Sequence, residues 1–217
     1  MKIAILGGTG DQGPGLALRW AMAGEDVIIG SRAKEKAEKV ADELNGELGQ
    51  KKIRGLDNVQ AAAEADIAVL TVPYSAHLPT LQSVKEQVKG KIFVDVSVPL
   101  DPENPRKMKM PAVGSATEEA QAFFGDQTKV VAAFQNVAAH ALRDSQHPVE
   151  CDILVCGNDV EAKKVVMGLV AKMGMHAYDV GPAESARVVE GLTSVLIRLN
   201  IKFKAKGGGI RLTGLPR

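Results

Sequence analysis

A glycine-rich turn near the start of the chain constrains the fold more than any other feature of the sequence. Residues 2–6 form a short apolar run, and Gly8, Gly10 and Gly13 follow it at G-x-G-x-x-G spacing before a stretch typical of a helix. A second apolar run at 26–30 completes a predicted strand, helix and strand. Since parallel strands need crossover connections of this kind, the opening unit predicts an α/β fold.

The rest of the chain continues the alternation of strands and helices. The predicted strands cover residues 2–6, 26–30, 52–55, 66–72, 91–98, 129–134, 152–156 and 176–180. The predicted helical segments cover 16–23, 33–48, 58–65, 75–88, 117–124, 136–143, 159–173 and 183–203. Asn58 is the expected N-cap of its helix. The proline-rich segment 99–111 is expected to be a long loop, and the glycine-rich tail from 204 to be unstructured unless it packs on a partner.

These elements predict a Rossmann-type, doubly wound, mostly parallel sheet with a small C-terminal α/β lobe that ends in a long helix. We place the dinucleotide-binding domain at 1–145 and the C-terminal lobe at 146–217. The second lobe can also continue the same sheet. Ligands are expected beyond the carboxyl ends of the strands.

Composition narrows the class of protein. The 217 residues are 45% hydrophobic and 24% charged, with a net charge of +1, which is typical of a globular protein. No extended basic face is expected, so nucleic acid is not a predicted partner. No apolar run approaches the roughly 18 residues of a membrane span, and the first apolar run is too short for a secretory signal. We therefore expect a cytoplasmic protein, in which Cys151 and Cys156 are buried free thiols.

The glycine-rich turn predicts a site for a dinucleotide. Gly8 permits the tight turn, Gly10 lets the backbone approach a pyrophosphate, and Gly13 allows the helix to pack on the strand. Thr9 offers a hydroxyl donor, and Gln12 completes the set of residues that we assign to this part of the site.

The end of the second strand predicts which dinucleotide binds. A site for NAD places a carboxylate there to accept the ribose hydroxyls. This chain has Ser31 and Arg32 at that place, and Lys36 follows on the next turn. A guanidinium, a hydroxyl and an ammonium suit a 2′-phosphate. The expected cofactor is therefore NADP.

Two predicted strands have the same pattern, in which an apolar run ends in Val-Pro. Val72 and Pro73 end one of them, and Ser97, Val98 and Pro99 end the other. Proline stops the ladder and leaves carbonyls free, so these turns are expected to line the ribose and nicotinamide with backbone groups. The same Val-Pro sequences are also expected if the prolines only end the strands and contact no ligand.

Metal-binding and hydrolytic motifs are absent from the sequence, and no metal is expected. His77, His140, His147 and His176 are scattered, and we expect each to be a surface or capping residue, with only His140 near the proposed site. No acid/base pair stands out. We therefore predict no catalytic side chain, because direct hydride transfer depends on alignment and on the exclusion of water.

The chain as a whole resembles the NADPH-dependent reductases of the 5-deazaflavin coenzyme F420. The resemblance rests on residues 5–10, 30–32, 68–73, 155–159, 163–167, 179–182, 189–193 and 209–214. The cytosolic domains of membrane ferric reductases share much of this pattern but continue into haem-bearing membrane spans.

The resemblance implies an oxidoreductase that passes a hydride between NADP(H) and coenzyme F420, its second substrate. It implies that Gln135, Val137 and Thr193 face a deazaflavin cleft roofed by the C-terminal part of the chain. The family often has histidine in place of Gln135 and serine in place of Gly191. We also expect a homo-oligomer, with a dimer favoured.

Two other functions stay open at this point. The first is an NADP-dependent reductase of a small imine or carbonyl, similar to pyrroline-5-carboxylate reductase, although such enzymes need a further helical dimerisation domain. The second is a non-catalytic module that senses NADP. Such a module would leave no cleft beside the nicotinamide for a second ring.

Overall fold

The structure, a computed structural model, describes residues 1–216, which contain ten strands and eight α-helices. The strands are β1 (Lys2–Leu6), β2 (Asp26–Ser31), β3 (Ile53–Asp57), β4 (Ile67–Leu70), β5 (Ile92–Asp95), β6 (Leu100–Asp101), β7 (Asn104–Met108), β8 (Lys129–Ala132), β9 (Ile153–Gly157) and β10 (Ala177–Asp179). The helices are α1 (Gln12–Met22), α2 (Lys34–Leu48), α3 (Asn58–Glu64), α4 (His77–Val84), α5 (Ala116–Phe124), α6 (Ala139–Arg143), α7 (Val160–Lys172) and α8 (Ala186–Phe203).

One sheet organises the molecule. Within residues 1–216 it contains eight strands in the order β3-β2-β1-β4-β5-β8-β9-β10. Neighbours from β3 to β8 are parallel, β9 is antiparallel to β8, and β10 is parallel to β9. The predicted Rossmann-type, mostly parallel sheet is confirmed. Because β9 and β10 extend the same sheet, the C-terminal segment has no separate sheet of its own, and the division near residue 145 stays a prediction.

Helices cover both faces of the sheet. Along β1, Ile3 and Ile5 pack with Trp20 of α1 on one face, while Ala4 and Leu6 belong to a second apolar cluster on the other face. All of these side chains are almost fully buried. Burying a large apolar side chain stabilises the fold by about 1.5–3 kcal/mol. The buried side chains of β1 therefore fix the position of the glycine-rich turn, which follows the carboxyl end of this strand.

The segment predicted to be a long loop contains a hairpin, so that prediction is wrong. Strands β6 and β7 pair antiparallel, and the Arg198 side chain of α8 donates from Nε to the carbonyl of Arg106 at 3.0 Å. Pro102 lies in the turn, and Pro105 lies in a sheet that has only edge strands. Proline is tolerated at both kinds of position because its missing N–H is not needed there. The proline content therefore obscured a strand pair.

The C-terminal tail has no helix or strand in residues 205–216, but it packs on its own chain. The N–H of Asp152 donates to the carbonyl of Ile210, and the N–H of Leu212 donates to the Asp152 carboxylate, both at 2.7 Å. The Tyr178 hydroxyl donates to the carbonyl of Pro216 at 3.0 Å. The expected unstructured tail is thus held against β9 and β10. Residue 217 lies outside the described residues.

The cap of α3 also differs from the prediction. The Asp57 side chain accepts from the N–H of Gln60 at 2.9 Å and caps the helix. Asn58 instead accepts from the N–H of Gly7 through Oδ1 at 3.1 Å. The predicted capping residue therefore holds the glycine-rich turn, a contact that sequence spacing does not reveal.

None of the helices in residues 1–216 combines the length and the apolar character needed to cross a bilayer. Cys151 and Cys156 are both buried and free.

Candidate functional site

The glycine-rich turn is packed tightly at its first and third glycines. The N–H of Gly8 donates to the carbonyls of Ile5 at 3.1 Å and Gly30 at 2.9 Å. A Cβ on Gly13 would lie 2.5 Å from the Gly8 Cα. Such a distance is too short for any side chain, so Gly8 and Gly13 are needed for the packing of α1 on β1.

Gly10 is different, because the space around it is open. A Cβ there would meet no protein atom closer than the Gly7 carbonyl oxygen at 3.6 Å. Gly10 also lines the cleft between the carboxyl ends of the strands and α8, which we call the main cleft. At the start of α1 no side chain caps the helix, so the backbone N–H groups of its first turn have no side-chain acceptor from the N-cap residue, Asp11. This arrangement fits a pyrophosphate.

Gln12 ties the turn to the chain segment after β8. Its Nε2 donates to the carbonyls of Phe134 at 3.3 Å and Val137 at 3.2 Å. Phe134 has φ 73°, a left-handed conformation that costs a non-glycine residue about 1–2 kcal/mol. The sharp turn at Phe134 directs Gln135 and Asn136 into buried positions beside the cleft.

The predicted 2′-phosphate residues lie at the end of β2. Ser31 is buried and its hydroxyl oxygen accepts from the N–H of Ala33 at 3.3 Å. Arg32 and Lys36 are exposed, and neither forms an ion pair with a residue in the described range 1–216. Both cations are therefore available to an anionic ligand.

The main cleft has a volume of about 600 Å³ and lies between the strand ends and α8. Nine of the predicted site residues line this cleft, namely Gly10, Gln12, Val72, Pro73, Ser97, Val98, Gln135, Val137 and Thr193. The other predicted site residues do not line it, namely Gly8, Thr9, Gly13, Ser31, Arg32, Lys36 and Pro99. Residues that prediction missed include Leu196, Ile197 and Asn200 of α8. The sequence carried no signal for the α8 residues beyond the position of the helix.

Gln135 is held from two sides. The side-chain Nε2 of Gln135 donates to the backbone carbonyl of Asp95 at 2.7 Å. The backbone carbonyl of Gln135 accepts from the Thr193 hydroxyl at 2.8 Å. Its Oε1 is the one buried side-chain polar atom within residues 1–216 that has no hydrogen-bond partner in the protein. An unpaired buried acceptor is costly unless a ligand or solvent supplies a donor.

A buried ionic cluster adjoins the cleft, and its histidine contradicts the prediction. His77 is fully buried, not on the surface, because its ring lies between Asp95 at 2.7 Å and Glu119 at 2.9 Å. Burial opposes its protonation, but the two carboxylates outweigh that effect and raise the pKa of His77. An aspartate inside the predicted apolar strand 91–98 was the available signal, since a buried carboxylate needs a partner.

Glu190 anchors α8 to the rest of the fold. It is buried, and its carboxylate accepts from the N–H groups of Ala116 at 2.9 Å and Thr117 at 3.1 Å, and from the Thr117 hydroxyl at 2.9 Å. Burial, with repulsion from Asp95, raises the pKa of Glu190 to about 7. These bonds join α8 to the start of α5 and so fix the roof of the cleft.

Comparison with known proteins finds relatives that match this chain over its full length. The sequence model of the family described as "NADP oxidoreductase coenzyme F420-dependent" matches residues 2–99. The chain is 50% identical to the F420-dependent NADP reductase of Methanocaldococcus jannaschii, with 99% of each chain covered. It is 48% identical to the enzyme of that name from Methanothermobacter marburgensis, with 100% of each covered.

A solved structure from Arthrobacter sp. FB24, described as a provisional F420-dependent NADP reductase, has a TM-score of 0.84 and 27% identity. The match covers 98% of this chain and 99% of that one. Sequence and fold agree over the full length, and the chain belongs to the F420-dependent NADP reductase family.

Proposed function

We propose that this chain is an NADP-dependent oxidoreductase that transfers a hydride between NADP(H) and coenzyme F420 in the main cleft. The observation that carries the proposal is the extent of that cleft, which runs from Gly10 in the glycine-rich turn to Thr193 on α8. A module that only senses NADP needs no such space beyond the nicotinamide. Membership of the reductase family supports the same function.

The glycine-rich turn would hold the NADP pyrophosphate. The open side of Gly10 gives phosphate oxygens access to backbone N–H groups, while Gly8 and Gly13 keep the turn close to α1. Arg32 and Lys36 would bind the 2′-phosphate, and Ser31, whose hydroxyl oxygen accepts from the N–H of Ala33, would shape the turn that carries Arg32.

The other end of the cleft would hold F420. Val137 and Thr193 line it, and Gln135 contributes a buried acceptor. One N–H of the Gln135 side-chain amide donates to the backbone carbonyl of Asp95. The buried Oε1 has no partner in the protein, so it suits a ligand N–H group. Gly191 has open space around its Cβ position and supplies no side-chain contact.

When bound, NADP(H) and F420 supply the chemistry, which is hydride transfer between the nicotinamide and the deazaflavin. The apolar residues of the cleft, among them Val72, Val98 and Ile197, would exclude water from the space between the rings. The strand ends and α8 would hold the two rings in register. The protein thus contributes position, which is worth several kcal/mol of the barrier in well-aligned reactions.

The activity is tested directly by mixing the protein with oxidised F420 and NADPH. We expect the F420 absorbance to bleach in proportion to the NADPH consumed. Deuterium from the transferring C4 position should appear at C5 of reduced F420 without dilution by solvent protons. NADH serves as the control donor and is expected to react much more slowly. Binding of NADPH without transfer would contradict the proposal and favour a reductase of small imines or carbonyls, or a sensor.

We also propose that the protein is a homodimer that forms through α8. Val188, Val195, Leu199 and Phe203 lie on one stripe of this helix, and each is exposed. A second copy would cover this stripe. Light scattering after size-exclusion chromatography should give the mass of a dimer, and Leu199→Glu should give a monomer. A monomeric mass for the unaltered protein at micromolar concentration would contradict the proposal.

The two buried free thiols favour a reducing, cytoplasmic location, which we propose as well.

A further inference from the structure

We infer that His77 is a positioning residue for hydride transfer, acting through Asp95 on two polar residues of the cleft, Ser97 and Gln135. His77 itself does not line the cleft. This inference rests on the proposed function, because it concerns the geometry of the same cleft.

The hydrogen bonds define the charge of His77. Its Nε2 lies 2.7 Å from Asp95 Oδ2, and its Nδ1 lies 2.9 Å from Glu119 Oε2. With both carboxylates ionised, each ring nitrogen donates a hydrogen bond to its partner, because an ionised carboxylate only accepts hydrogen bonds. His77 is therefore an imidazolium held between two carboxylates. Burial is the largest opposing effect, yet the net result is a raised pKa for His77.

The outer side of the cluster is closed by Tyr74. Its hydroxyl lies 3.2 Å from both carboxylate oxygens of Glu119, and its ring stacks on the His77 ring with centroids 5.5 Å apart. Burial, together with Glu119, raises the pKa of Tyr74 to about 12, so this phenol stays neutral and donates. The groups that face His77 are thus Asp95 from β5, Glu119 from α5 and Tyr74 from the turn before α4. Glu190 of α8 acts on Asp95 from further away.

Asp95 passes this constraint to the cleft. While Oδ2 accepts from His77, Oδ1 accepts from the N–H of Ser97 at 2.9 Å, and the backbone carbonyl accepts from Gln135 Nε2 at 2.7 Å. Ser97 and Gln135 both line the cleft. If His77 lost its charge, Asp95 would be a buried carboxylate without this cation beside it, a costly state that favours movement of the Asp95 side chain. Such movement would disturb the bonds to both residues.

A second ion pair in the protein offers a matched control. Lys163 is buried and lies 2.7 Å from Asp179, at the β10 edge of the sheet. Neither residue lines the cleft. Lys163→Gln therefore removes a buried cation without touching the site, just as His77→Gln removes one next to it. A purely structural role for His77 predicts that the two variants behave alike.

The experiment compares the two variants with the unaltered protein. The measurements are thermal unfolding, the Kd values of NADP⁺ and oxidised F420, and the single-turnover rate of hydride transfer from pH 6 to pH 10. We expect His77→Gln to weaken F420 binding and to slow transfer by about tenfold or more, with the Kd of NADP⁺ changed by less than about threefold. We expect Lys163→Gln to lose stability while the rate and both Kd values stay unchanged.

The pH profile separates positioning from structure. Because the pKa of His77 is raised, its charge persists to higher pH than that of a free imidazole and is lost as pH rises through that pKa. The unaltered protein should therefore lose transfer rate on the alkaline side, and His77→Gln should lack this fall. Glu119→Gln removes one carboxylate from the cluster, so it should move the fall to lower pH. This variant changes a half-buried residue and serves if His77→Gln does not fold.

Two results would overturn the inference. One is a transfer rate and an F420 affinity for His77→Gln within about twofold of the unaltered values. The other is an alkaline fall that does not move in Glu119→Gln. Failure of the proposed function looks different, because the unaltered protein would then transfer no hydride to F420 at any pH.

Discussion

Replacing Arg32 by Asp is expected to abolish or invert the preference of this protein for NADP over NAD. Arg32 is exposed at the end of β2 and forms no ion pair with any residue in 1–216, so its guanidinium is free to meet a 2′-phosphate. We expect the unaltered protein to bind NADP at least about tenfold more tightly than NAD, which is about 1.4 kcal/mol. An aspartate at this place would repel the 2′-phosphate and accept the ribose hydroxyls of NAD.

Calorimetric titration of both cofactors into both proteins measures this change. Lys39→Asp is a suitable control, because Lys39 lies on the same helix as Lys36 and its side chain is 79% exposed. It alters the net charge as Arg32→Asp does, but away from the end of β2, and it should leave the preference intact. Equal affinities for NADP and NAD in the unaltered protein would show that Arg32 does not bind the 2′-phosphate.

The parts of the fold that local sequence determines were predicted well. The strand, glycine turn and helix at the start of the chain follow from spacing alone, because Gly8 and Gly13 meet local packing needs and Gly10 leaves space beside the turn. The apolar runs of β4 and β5 likewise predict buried central strands. The cleft residues at the two Val-Pro strand ends follow from these strands, since the carboxyl ends of parallel strands meet at one edge of the sheet.

Contacts between distant parts of the chain were not predictable in the same way. His77 was predicted to lie on the surface, because its two hydrogen-bond partners are 18 and 42 positions away and no local pattern indicates them. The tail was expected to be unstructured because two of its hydrogen bonds join it to Asp152, about 60 positions earlier. The orientation of the Gln135 amide depends on the carbonyl of Asp95, which no local pattern indicates. Spacing rules describe neighbours, whereas these groups are positioned by tertiary packing.

The glycine-rich turn allows a sharper test, because two glycine-to-alanine changes within it should fail for different reasons. In Gly13→Ala the new Cβ would lie 2.5 Å from backbone of Gly8, which cannot move without separating α1 from β1. We expect a loss of about 1–3 kcal/mol in the free energy of unfolding, with weaker NADP binding as a result. Thermal and denaturant unfolding measure the first effect.

Gly10→Ala should leave stability unchanged and still abolish most NADP binding. The new methyl group would lie 3.6 Å from the nearest protein atom, an ordinary contact, and Gly10 has no positive φ that would disfavour alanine. That methyl group would instead fill the space through which the pyrophosphate reaches the backbone N–H groups. We expect the Kd of NADP⁺ to rise about a hundredfold, or about 2.8 kcal/mol. Gly168→Ala is the control, because its position on α7 is open and alanine there should stabilise the helix slightly. If Gly10→Ala binds NADP⁺ as tightly as the unaltered protein, the pyrophosphate does not lie against this turn, and the assignment of the cofactor site must be abandoned.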